Sequence, residues 1–262
     1  MKKSLIGLLL LALLCSCTSV SAQSAPGAKT NAIDVSALSN QKMCWGQGYN
    51  CNEKNQPLSC VEYNQKYGEH AAVFLGHTND IVLTFDEGYE NGYTATILDT
   101  LKDKQVQAVF FVTYDYVKRN PELVTRMIEE GHVVGNHSWS HPSMPEKSSE
   151  DVVLEIKKLH DYVQENFGYT MTLFRAPKGE FSERTLEITK QLGYTSVFWS
   201  FAYYDYNVND QPDLAKALTR VTQAAHPGAI YLLHAVSKTN NAILGGVIDS
   251  LRQQGYSFSL LT

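Results

Sequence analysis

Ile81-Val82-Leu83-Thr84-Phe85-Asp86-Glu87-Gly88 is the stretch on which the fold turns. Apolar and β-branched residues run straight into two carboxylates and stop at a glycine, which predicts a short strand over 81–86. The same design recurs downstream, with strands predicted at 108–113, 132–136, 173–176, 196–201, 229–234 and 257–261. Amphipathic stretches of helix length fill the intervals near 92–104, 121–130, 149–167, 183–192, 212–225 and 240–254. Asn120 stands as a cap before Pro121, whose fixed φ suits a first helical turn. Ser148 with Asp151 imitates a capping box with a shorter acid. Gly131, Gly168, Gly193 and Gly255 follow helix ends, where a left-handed residue favours glycine.

Strands alternating with helices imply a parallel sheet with right-handed crossovers. Seven strands over this length fit a distorted or incomplete (β/α) barrel, with a doubly wound open sheet as the alternative. Both architectures put functional residues at the C-terminal ends of the strands.

Upstream the character changes. Lys2 and Lys3 precede an apolar run over 5–14, the pattern of a signal peptide over 1–22 and too short to span a bilayer. Leu14-Cys15-Ser16-Cys17 resembles a lipobox, with Cys17 as the lipidated residue, while Val20-Ser21-Ala22 offers an ordinary cleavage site. Either route places the protein outside the cytoplasm, secreted or lipid-anchored. Residues 23–75 are expected to form a linker and an N-terminal cap with a short helix near 60–67, and 76–262 the catalytic domain. Cys44, Cys51 and Cys60 fit no zinc pattern, and an oxidising compartment predicts one disulfide and one leftover thiol. With 22 basic against 27 acidic residues the formal charge is −5, which argues against a dedicated nucleic-acid or anionic-membrane binder.

Along the predicted rim the polar residues gather. Asp86 and Glu87 end the first strand; His137 ends the third, with His141 four residues on. Arg175 lies at the end of the fourth, Asp205 follows the fifth and His234 ends the sixth. On a helical turn His137 and His141 would share a face and hold one metal, and a nearby carboxylate would leave room for water. Taken singly each has a plain structural reading: loop histidines beside Trp139, solvated acids, a core histidine. Five strands converging favour a site. His234 suits a general acid whose pKa Asp205 would raise, and Arg175 would hold a carboxylate ionised. His77, His132, His160 and His226 have no such company.

Thr84-Phe85-Asp86-Glu87-Gly88, His137-Ser138-Trp139-Ser140-His141, Arg175-Ala176-Pro177-Lys178-Gly179, Asp205-Tyr206 and Leu232-Leu233-His234 occur in the order found in polysaccharide deacetylases, and residues 78–262 resemble that family's NodB homology fold. Asp86-Glu87-Gly88-Tyr89-Glu90-Asn91-Gly92-Tyr93-Thr94, Phe181-Ser182-Glu183 and Ala225-His226-Pro227-Gly228 resemble the subgroup that makes muramic δ-lactam in spore cortex. The resemblance implies a metal-dependent de-N-acetylase of a peptidoglycan amino sugar. Asp86 would be the base and His234 the acid, with Arg175 orienting Asp86 and Asp205 tuning His234. His137, His141 and Glu87 would bind a divalent metal, commonly zinc. Leu232 would line the acetyl pocket, with Tyr206 and the main chain near Lys178 also meeting substrate. Glu87, Tyr206, Ala202 and Ala176 depart from the family pattern, which usually has Asp, Trp, Asp and Pro there. Another N- or O-acetylated glycan, or a catalytically silent glycan binder, are the rival readings.

Overall fold

The computed structural model describes residues 34–261. The leader, Cys17 and the first part of the linker lie outside them. The elements run β1 (Met43–Cys44), α1 (Leu58–Tyr67), β2 (Ala72–Val73), β3 (Val82–Glu87), α2 (Thr94–Asp103), β4 (Val109–Val112), α3 (Tyr114–Arg119), α4 (Pro121–Glu129) and β5 (Val133–Asn136). They continue α5 (Ser149–Phe167), β6 (Leu173–Phe174), β7 (Glu180–Phe181), α6 (Glu183–Gln191), β8 (Thr195–Val197), β9 (Phe201–Ala202), α7 (Leu214–Gln223), β10 (Ile230–His234) and α8 (Lys238–Gln253).

Eight strands form one sheet in the order β2-β8-β6-β5-β4-β3-β10-β9, and every pairing in it is parallel. The edges β2 and β9 do not pair with each other, so the barrel is incomplete, as the sequence predicts. Its curl follows from the connectivity. β8 is one strand in from one edge and β9 is the opposite edge, yet only Phe198, Trp199 and Ser200 join them. Six strand spacings in a flat sheet would separate them by roughly 29 Å. Four residue steps reach at most about 14 Å. The sheet must therefore bend until its two ends nearly meet, and residues 198–200 cross the seam. That crossing is why the single strand predicted over 196–201 is two.

The seam is filled from the N-terminal side. Trp45 donates its main-chain N–H to the Gly179 carbonyl at 2.9 Å and its indole N–H to the Trp199 carbonyl at 2.9 Å. Its ring packs edge-on against Phe74, centroids 4.5 Å apart, and Phe74 stacks on Phe198 at 4.3 Å. Tyr63, Tyr67 and Phe181 complete this aromatic plug. Antiparallel pairing of Met43 with Phe181 anchors it. Val35, Trp45, Cys60 and Tyr67 belong to the same hydrophobic core as the main sheet, and Ala72–Val73 is one of that sheet's strands.

Two further expectations need correction. Residues 257–261 contribute only a bridge between Ile81 and Phe258 rather than a strand. Cys44, Cys51 and Cys60 are all free thiols. Cys60 is fully buried with its sulfur against the Trp199 carbonyl, and burial pushes its pKa up to about 12, so it is held as an inert thiol.

Candidate active site

The C-terminal ends of β3, β4, β5 and β10 open into a cavity of about 760 Å³. Asp86, His137, His141, Lys178, Tyr206, Leu232 and His234 all line it. Register brings the two reacting candidates together, because β10 lies beside β3 with His234 directly opposite Asp86. Each is the first carboxylate or imidazole of its mostly apolar strand, so the strands need only be aligned for the pair to form.

Arg175 is the largest fully buried side chain. One Nη1 donates to Asp86 Oδ1 at 2.8 Å and to Thr84 Oγ1 at 2.7 Å. Nε and Nη2 donate to the carbonyls of Val197 and Phe198. The guanidinium lies 4.2 Å from the Phe111 ring centroid, a cation–π contact. Burial pushes the Asp86 pKa upward, but the charge on Arg175, followed by His137 and His234, outweighs it and holds the carboxyl below its ordinary value.

His234 is fixed from behind. Asp205, fully buried, accepts the His234 Nδ1–H on Oδ1 at 2.7 Å and the His234 main-chain N–H on Oδ2 at 2.9 Å. Asn240 adds a hydrogen bond to Asp205 Oδ2 at 2.6 Å. Burial draws the His234 pKa down, while the hydrogen bond to Asp205 and its charge more than reverse this, and the net direction is up. Nε2 is left to face the cavity as a proton carrier.

His137 and His141 meet differently from the helical turn expected. Residues 137–141 form a loop in which Ser138 and His141 have φ of 69° and 57°. The Asn136 side chain takes the Ser138 N–H and the Ser138 hydroxyl takes the His141 N–H, which holds the left-handed turns. The two rings end 4.8 Å apart. His137 Nδ1 sits 2.9 Å from the Arg175 carbonyl, which can only accept, so Nδ1 carries the proton and Nε2 a lone pair. Burial depresses the His137 pKa to about 4 and lowers that of His141 too.

Homology agrees with this geometry. The polysaccharide deacetylase family model matches residues 76–197. The peptidoglycan-N-acetylmuramic acid deacetylase PdaA of Bacillus subtilis is 41% identical over 230 residues, covering 87% of this chain and 87% of PdaA. This chain belongs to the polysaccharide deacetylase family. Among solved structures, PdaA of Bacillus subtilis, a family 4 carbohydrate esterase, superposes with TM-score 0.80 at 40% identity over 85% of this chain and 96% of that one. A family 4 carbohydrate esterase from Bacillus anthracis gives 0.70 at 39% identity, over 85% and 95%. As a polysaccharide deacetylase the chain is a hydrolase of non-peptide carbon–nitrogen bonds.

The deacetylase's own residues fit a cation at the histidine pair, since His137 and His141 both line the cavity and burial lowers both pKa values. The His137 Nε2 lone pair points at Asp86 Oδ2 from 3.5 Å, and neither atom has a proton to share. A neutral imidazole whose second nitrogen is fixed, as His137 Nδ1 is by the Arg175 carbonyl, is a good metal ligand. Among the described residues no group of three His, Cys, Asp or Glu side chains converges as a cage. His137 and His141 are therefore the donor set on offer.

Glu87, expected as the third ligand, requires correction. Successive strand residues point to opposite faces, and Asp86 takes the cavity face. Glu87 is fully buried on the other side, near Glu90 and Tyr116, with neither carboxylate oxygen hydrogen-bonded. Its pKa is raised well above the ordinary value, by burial first and then by Glu90 and Asp86.

Three contributors escaped the sequence reading. Thr84, two residues before Asp86 and so on the same face, accepts from Arg175 and donates to the Tyr231 carbonyl; the period of two pointed to it. Asn240 reaches Asp205 from the first turn of α8, with no local signal. Trp199 walls the cavity from the seam crossing, and it is positioned by Gly179, where φ is +65° and an added Cβ would lie 2.7 Å from the indole.

Proposed function

We propose that this deacetylase removes the N-acetyl group from an amino sugar of peptidoglycan outside the cytoplasm, acting on N-acetylmuramic acid on the route to muramic δ-lactam of spore cortex. The observation that carries it is the facing pair Asp86 and His234, one with its pKa lowered by Arg175 and the other with its pKa raised by Asp205. The muramic substrate is supported by the 41% identity to PdaA, and the same relationship supports action at the cell wall.

A divalent metal, of which zinc is the expected one, would be held by His137 and His141 and would polarise the acetyl carbonyl and its attacking water. The chain's residues do the rest. Asp86, acceptor-only while ionised, takes the proton of the attacking water as the tetrahedral centre forms. His234 gives its Nε2 proton to the departing nitrogen, which is too basic to leave as an anion. Asp205 holds the imidazole in the tautomer and orientation for that transfer. Leu232, nearly buried in the wall, offers apolar surface to the acetyl methyl. Tyr206, more than half exposed with its ring 5.7 Å from that of His234, and the backbone at Lys178 would flank the sugar.

The test is acetate release from peptidoglycan before and after removal of stem peptides, with mass analysis of the muramic residues. Deacetylated or lactam muramic acid is expected. Acetate from glucosamine residues alone would move the substrate to another amino sugar, and none at all would overturn the reading.

A further inference from the structure

A second cleft, of about 730 Å³, opens between the N-terminal cap and α7, floored by Ser200 and Phe201 of the seam. We propose that it binds an anionic group of the wall polymer, a carboxylate or phosphate carried by the strand whose sugar occupies the active site. This rests on peptidoglycan being the substrate.

Asn55 spends its amide on the carbonyls of Gln223 and Ala225. Thr219 bonds the Ala215 carbonyl. His226 is buried; Nδ1 donates to the Ala224 carbonyl at 2.8 Å, so Nε2 accepts from Ser200, whose oxygen takes the Ile230 N–H. Lys216 and Arg220 are the cleft's two cations. They stand one turn apart on one face of α7, line the cleft, and pair with no carboxylate among the described residues. No Asp or Glu lines the cleft, although the chain carries net charge −5. Two unpaired cations, with the exposed Tyr49 ring at the rim, suit an anion beside a sugar or peptide.

The cleft also touches the active cavity's wall. Gln47 lines the cleft, accepts the Trp199 indole N–H at 3.1 Å and donates to the Ala202 carbonyl at 3.2 Å. Trp199 lines the active cavity. An anion anchored at Lys216 and Arg220 therefore fixes the strand one seam away from Asp86, and so selects which sugar of a long polymer is presented.

The test is co-sedimentation of the full chain with purified sacculi over a range of NaCl, comparing wild type with the Lys216→Glu/Arg220→Glu double variant. Both side chains are exposed, so the fold should tolerate the change; near-ultraviolet circular dichroism checks it. The variant should bind at least about tenfold more weakly with a shallower salt dependence, while acetate release from a short soluble glycan stays unchanged. Sacculi stripped of phosphate polymers, and sacculi stripped of stem peptides, identify the anion: the difference between proteins vanishes on the substrate that lacks it. Equal binding of the two proteins to intact sacculi, or no binding by wild type, overturns the proposal. Loss of acetate release from the short glycan by wild type would instead count against the deacetylation reading.

Discussion

Asp205 grips His234 at two points, taking its ring Nδ1–H at 2.7 Å and its main-chain N–H at 2.9 Å, so one buried carboxylate both positions the imidazole and raises its pKa. Asp205→Asn should remove the charge that raises the His234 pKa. The alkaline limb of the pH–rate profile is then expected to move toward acid, with kcat falling by roughly 10²–10⁴. The stability linkage has the same sign. His234 is raised in the folded state, so the pair's contribution is complete below the unfolded value of about 6.5 and is lost as pH rises through the folded value. Denaturant midpoints against pH should therefore differ between wild type and variant on the acid side and converge on the alkaline side. An unmoved alkaline limb would remove His234 from the role of acid.

Asp86→Asn should abolish acetate release by at least about 10²-fold while metal stays bound. The amide cannot take the proton, and Arg175 loses its one carboxylate partner among the described residues, so stability should also fall by about 3 kcal/mol. Retained turnover, or loss of metal, would mean that the carboxylate serves as a ligand rather than a base.

His137→Ala should lose both metal and turnover. In wild type, metal affinity should persist well below pH 6.5, because burial keeps His137 neutral down to about 4. Zinc titration in steps from pH 7 to pH 4.5, with chelation and re-addition as the control, checks both. Affinity that collapses near the ordinary histidine value would show imidazoles exposed to solvent.

Glu87→Gln should leave metal affinity intact, since the side chain faces away from the cavity. Its stability effect has a definite sign. The folded pKa is raised, so the native state prefers the protonated acid, and stability is complete below the unfolded value of about 4.3 and declines as pH rises through the folded one. Glutamine needs no proton, so the variant should gain on wild type across that window, by at most about 3–4 kcal/mol at pH 7. Metal loss in this variant equal to that of His137→Ala would restore Glu87 as a ligand.

The order of strands and helices was legible because each long strand is an apolar run and most helices carry caps. The helix over 149–167 begins at the Ser148 cap and ends at Gly168, as those residues require. Asp86, His137, Arg175 and His234 were legible for the same reason: each follows an apolar strand at the rim. What was hidden is non-local. Ala72–Val73 is too short to show a period, yet it is an edge of the sheet. The break at 198–200 exists only because the sheet curls. The face of Glu87 depended on where the strand ended, which a sequence of apolar residues followed by two acids leaves open. The loop at 137–141 takes its left-handed turns from side-chain bonds of Asn136 and Ser138, which compete with the helix that the spacing suggested.

The adjacency of β3 and β10 carries a consequence for when this protein becomes a catalyst. Asp86, the proposed base, stands on the first long strand and His234, the proposed acid, on the last, and the two sit opposite each other only after 234 of the 262 residues exist. Synthesis proceeds from the N-terminus, and contacts this distant in sequence form late and slowly. On the proposed roles, nascent chains and products clipped before His234 would possess the base without its acid. On those roles, activity would wait for the insertion of a single strand.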